Sequence, residues 1–125
     1  MNFALESYEV RRRAIAFADG MLSVADALPE TLQLSLREQL RRAALSIPTN
    51  LAEGCECNSV QDSSDFYRTA KGAVYEVVSL LLTIGKQGYL SPETYREHCR
   101  EADCIAEMIT GAIESLTVKH PLTSL

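Results

Sequence analysis

The chain has 125 residues, 46% of them apolar and 23% charged, with a formal net charge of -5. That size fits one domain, residues 1–125, whose core can form without disulfides or metals. A pI of about 5.0 disfavours nucleic acid as a partner, because phosphate contacts need a basic surface.

Strand patterns are absent, and apolar residues recur at helical spacing along four segments. The first helix is expected over about residues 4–28, with Tyr8, Ile15, Ala18, Leu22 and Ala25 inward, Gly20 as a weak point and Pro29 as its stop. The second, over 30–54, carries Leu32, Leu36, Leu40, Ala43, Ile47 and Leu51 inward and finishes at Gly54. A cap at Ser59, with Asp62 and Asp65 behind it, opens the third helix over 60–87; its seam is Phe66, Ala70, Ala73, Val77, Leu80 and Ile84, and Gly88 ends it. Ser91, Pro92 and Glu93 open the fourth, over 92–117, with Tyr95, Cys99, Ala102, Ala106, Ile109, Ile113 and Leu116 inward and Pro121 as its stop. Only the residues after Leu116 look loose.

Short connections between long helices favour antiparallel neighbours, so an all-α, up-down-up-down four-helix bundle is expected. Val74, Val78, Leu81, Leu82, Ile105 and Met108 widen the apolar surface of the third and fourth helices beyond one seam. Either the core stripe is broad or a homo-oligomer covers the excess.

The second helix carries its own breaker in Ser46-Ile-Pro-Thr-Asn-Leu-Ala-Glu-Gly54. Pro48 cannot donate to the carbonyl of Ala44 and its ring crowds that carbonyl, so the helix must bend there or be held by its neighbours. Arg42, Ser46, Asn50 and Glu53, at steps of four, four and three, share one stripe beside the apolar one. They read as a structural polar clasp that fixes the bend and the register between helices, or as a small-ligand site at the kink.

The segments LREQLRRAALSIPTNLAEG, SDFYRTAKGAVYEVVSLLLTIGKQGYL and AEMITGAIESL together resemble the bacterial four-helix bundle proteins. These are also called 23S rRNA intervening-sequence proteins and are related to the accessory variability determinants of diversity-generating retroelements. The resemblance spans about Leu28 to Leu116 and implies an antiparallel bundle assembled as a homopentamer. It carries Arg42, Ser46, Pro48, Asn50, Glu53 and Gly54 in the second helix, and Gly72 and Glu76 in the third. It implies a non-catalytic scaffold or adaptor for a protein or nucleoprotein partner. The alternative it implies is a nucleic-acid-binding accessory of a reverse transcriptase; separately, five copies of Arg37 and Arg41 around a ring would form a basic zone at one rim or in the bore and are the candidate contacts. Where the family tends to carry glycine and a basic residue after the Ala-Glu-Gly, this chain has Cys55-Glu56-Cys57, which removes positive charge from the turn.

Motifs for chemistry are sparse. Cys55 and Cys57, with His98, Cys99 and Cys104, lack the paired spacing of a zinc site, and the four cysteines are expected as free thiols. There is no Glu-x-x-His pair, nucleophile elbow or glycine-rich phosphate loop. Glu53 and Glu76 form an acid/base pair only if both face one cavity. The expectation is no enzyme, no metal and no cofactor. With no run near the roughly 18 apolar residues of a membrane span and no secretory signal order at the N-terminus, the expected location is cytoplasmic.

Overall fold

The computed structural model describes residues 3–119, which form four helices and, among the described residues, no strand. These are α1 (Phe3–Asp26), α2 (Glu30–Cys55), α3 (Val60–Lys86) and α4 (Pro92–Lys119). Lengths of 24, 26, 27 and 28 residues make rods of about 36–42 Å at a rise of ~1.5 Å per residue. Each helix packs on two neighbours, α1 on α2 and α4, and α3 on α2 and α4, so α1 and α3 stand on opposite corners. Among the described residues no helix is long and apolar enough to cross a membrane.

The boundaries have local causes. Ser59 is extended and its side chain accepts from the Asp62 amide, which starts α3. At the other end Gly88 adopts φ +87, which lets the Tyr89 amide reach the Ile84 carbonyl at 3.1 Å and the Gly88 amide reach Gly85 at 3.0 Å. Ser91 Oγ accepts from the Thr94 amide at 3.1 Å, with Pro92 as the first residue of α4. The end of α4 differs from expectation: the helix continues past Leu116 to Lys119, and Thr117 bonds back to the Ile113 carbonyl at 3.1 Å. His120 and Pro121 lie outside the described residues, as does the side chain of Leu32.

The core takes Leu40, Ala43, Ile47 and Leu51 from α2, and Ala70, Ala73, Val77, Leu80 and Ile84 from α3. Leu36, Tyr95 and Ile113 pack partly buried against it. From α4 come Ala102, Ile105, Ala106, Ile109, Ala112 and Leu116.

Two expectations need correction. The inward face of α1 is Ser7, Val10, Ala14, Phe17, Ala18, Met21, Ala25 and Leu28, whereas Tyr8 and Ile15 are 60% and 58% exposed and Leu22 is half-buried. Ala18 and Ala25 are buried as expected, while the centre of the true seam is turned by roughly 80° about the helix axis from the expected one. Both stripes have helical spacing, and Ser7 made the true one look less apolar. The second correction concerns the wide apolar surface of α3 and α4. Val74, Leu81 and Ile105 are buried and Val78 and Met108 pack against the core, so within this set only Leu82 remains exposed. The stripe is broad because each helix has two neighbours to cover.

Candidate functional site

The proline of α2 sits inside an unbroken helix. Two polar side chains stitch the turn around it. Thr49 Oγ1 donates to the Leu45 carbonyl at 2.8 Å, and Asn50 Nδ2 donates to both the carbonyl and the hydroxyl of Ser46, at 2.8 and 2.9 Å. These bonds supply extra donors to carbonyls beside the one that Pro48 leaves short. The Ser46–Asn50 half of the expected clasp is therefore formed, and it acts within α2. Arg42 and Glu53 stand exposed at either end of the stripe and make no ion pair among the described residues.

Glu76 is exposed on α3, and the fold separates it from Glu53. Ser63 Oγ donates to the Gly54 carbonyl at 2.7 Å, which aligns the two antiparallel helices at that point. Moving back along α2 and forward along α3 by the same ~18 Å brings Glu76 level with Arg42, far from Glu53. The two carboxylates cannot share a proton. Gly72 is exposed as well, with open space where a Cβ would stand.

Gly54 has the opposite surroundings. A Cβ there would collide with the ring of Tyr67 at Cδ1 and Cε1 and approach the Ser63 carbonyl oxygen at 3.3 Å. The glycine of the Ala-Glu-Gly motif lets α3 lay an aromatic ring directly on the last turn of α2. The Tyr67 hydroxyl then crosses the bundle to Ser7 of α1, with the oxygens 2.8 Å apart. Cys55 Sγ lies 2.7 Å from Ser7 Oγ and 3.2 Å from the Tyr67 oxygen, closing a triangle. Burial, and then the bond with Cys55, hold the Tyr67 phenol well above its ordinary pKa, against a smaller opposing effect of Ser7. It is a neutral hydrogen-bonded junction tying three helices together at one end of the bundle. Sequence reasoning missed Ser7 and Tyr67; a serine in phase with apolar residues was the available signal.

A cavity of about 230 Å³ beside this junction is lined by Cys55, Cys57, Ser63 and Leu116 among others. All four cysteines are free thiols. Burial, then the carboxylates of Asp62 and Glu53, push the Cys57 thiol above its ordinary range, which leaves it protonated near neutral pH. No group of three or more His, Cys, Asp or Glu residues is placed to hold a metal among the described residues.

The arginines with expected nucleic-acid contacts are engaged within the chain. Arg37 Nε donates to the Ala25 carbonyl at 3.1 Å, at the frayed end of α1, and its Nη atoms lie 3.8 Å from Asp26 and 3.4 Å from Glu30. Arg41 Nη1 meets the same Asp26 carboxylate at 2.8 Å. Together they fasten the α1–α2 connection. Arg13 makes a two-pronged pair with Glu101 of α4, at 2.6 and 3.1 Å, and Arg12 pairs with Glu9 at 3.1 Å. The basic triplet of α1 therefore points in different directions.

The model of the family described as 23S rRNA-intervening sequence protein matches residues 6–111. The chain belongs to that family. The matched region includes Pro48, the Gly54–Tyr67 contact and the outer face of α3. A search of curated proteins finds no match.

Proposed function

We propose that this member of the 23S rRNA-intervening sequence protein family is a cytoplasmic, non-catalytic scaffold that self-associates, as a homopentamer, and presents its ring to a protein or nucleoprotein partner. One observation carries the reading. With the core closed, the bundle still holds Tyr8 and Ile15 of α1, Leu45 of α2, and Tyr75 and Leu82 of α3 between 44% and 60% exposed. Large apolar side chains grouped on helix faces mark surfaces that associate. The motif residues support the same reading: Gly54 and Tyr67 serve packing, while Glu53 and Glu76 stand far apart. The nucleic-acid alternative is weakened because Arg37 and Arg41 already have carboxylate partners.

Absolute mass by light scattering on a sizing column, with absorbance at 260 and 280 nm, tests the proposal. A nucleic-acid-free species of five chain masses is the expected result. A monomer refutes self-association, and co-eluting nucleic acid that leaves steeply with salt returns the retroelement-type alternative.

A further inference from the structure

Resting on the self-association just proposed, we infer that copies of this chain join head to tail, the outer face of α1 from one copy seating against α3 and the α3–α4 groove of the next. Both faces are exposed in the single chain, with Arg12 paired to Glu9 and Arg68 to Asp65 within their own helices. On α1, Leu5, Tyr8, Arg12, Ile15 and Asp19 form an exposed stripe at steps of three and four. On α3, Arg68, Gly72, Tyr75, Ser79 and Leu82 form another at steps of four and three.

The two stripes match in height. The Ser7–Tyr67 bond places residue i of α1 level with residue i+60 of α3, to within about one turn. Two copies standing side by side in parallel then set Tyr8 against Arg68, Ile15 against Tyr75, and Arg12 over Gly72 with Glu76 a turn away. The facing pairs are a cation on an aromatic ring and an apolar pair, while Arg12 sits between Glu76 and Arg68, one turn away on either side.

Gly72 is an independent sign. A glycine in a helix interior weakens the helix relative to alanine, and inside this chain nothing approaches its missing Cβ. A close neighbour from another copy supplies the reason for it. The adjoining groove, about 440 Å³ and lined by Arg68, Lys71, Gly72, Tyr75, Thr110 and Ile113 among others, offers a seat for an incoming side chain.

Charge selects this arrangement over its rivals. A twofold pairing of α1 with itself centres on Arg12 facing Arg12, and a pairing of α3 with itself leaves Tyr8 and Ile15 in water. Head-to-tail contact uses both faces once per copy. Because α1 and α3 stand on opposite corners, a seat shifted from the α3 pole into the α3–α4 groove turns each copy relative to the last, as ring closure needs.

The test uses Ile15→Glu and Tyr75→Glu, both at exposed positions, with helix content checked by circular dichroism. Each variant alone is expected to run as a monomer. Mixed one to one, they are expected to form a dimer and nothing larger, because only the intact α1 of Tyr75→Glu and the intact α3 of Ile15→Glu can meet. As a second test, Glu76→Arg weakens assembly and adding Arg12→Glu restores it. A wild-type monomer overturns the inference together with self-association. A wild-type oligomer whose mass survives either single variant, or variants that give no dimer on mixing, overturns the head-to-tail contact and leaves self-association standing.

Discussion

Replacing Gly54 by alanine tests the link between the family motif and the three-helix junction. Alanine in a helix interior is ordinarily better than glycine by about 1 kcal/mol. Here the new methyl meets two ring carbons of Tyr67, a fully buried side chain whose hydroxyl is held by Ser7 and Cys55. Overpacking of this kind costs about 1–3 kcal/mol. If the ring slides away, its two hydroxyl contacts weaken, at about 1 kcal/mol each. With the ring displaced, these costs less the propensity gain leave a net destabilisation of about 2–4 kcal/mol. Urea unfolding followed by circular dichroism reads it as a lower midpoint at unchanged slope. The diagnostic control is Tyr67→Ala, which is itself destabilising by ~3–5 kcal/mol. In that background the collision is gone, and Gly54→Ala should become neutral or stabilising. A single variant with a midpoint equal to or above wild type, or the same penalty in both backgrounds, would refute the reasoning.

Other expectations follow from the same structure. Because Tyr67 is neutral when protonated and its folded pKa lies above its unfolded value near 10, its stabilising effect is complete below about pH 10 and is lost as pH rises beyond it, by up to ~1.4 kcal/mol per pH unit. Tyr67→Phe should flatten that alkaline slope in thermal melts; an unchanged slope would assign it to another group. Ser64 Oγ is buried with no partner among the described residues, so Ser64→Ala should be neutral or stabilising by up to ~2 kcal/mol, and a marked loss would reveal a missing bond. Arg37→Ala should lower stability by about 1–2 kcal/mol through the lost hydrogen bond to the Ala25 carbonyl and the lost pairs, with Arg37→Lys restoring only part, as measured by urea midpoint. An alanine variant as stable as wild type would free Arg37 for an outside partner.

Much of the architecture was legible in the chain. The cap residues Ser59 and Ser91, the stop at Gly88 and most of the apolar seams of α2, α3 and α4 are local patterns found doing the local job expected, whereas Phe66 and Cys99 stay half-buried outside the core. The face of α1 was not legible, since Tyr8-Ile15-Leu22 and Val10-Phe17-Met21 are both apolar stripes at helical spacing and flank Ala18 and Ala25 on either side. The polar motif was half legible. Ser46 and Asn50 lie four apart and bond locally, whereas the partners of Arg42, Glu53 and Glu76 depended on helix heights that spacing does not contain.

The sequence by itself determined four helices, their caps and most of the inward residues, because capping and helical periodicity act over one to two turns. Tertiary structure alone decided which stripe of α1 turns inward, that Arg37 and Arg41 clamp the α1–α2 connection, and that Gly54 exists for Tyr67. Those contacts join residues as distant in sequence as Ser7 and Tyr67, and only the packing of one helix against another selects among stripes that the chain presents equally.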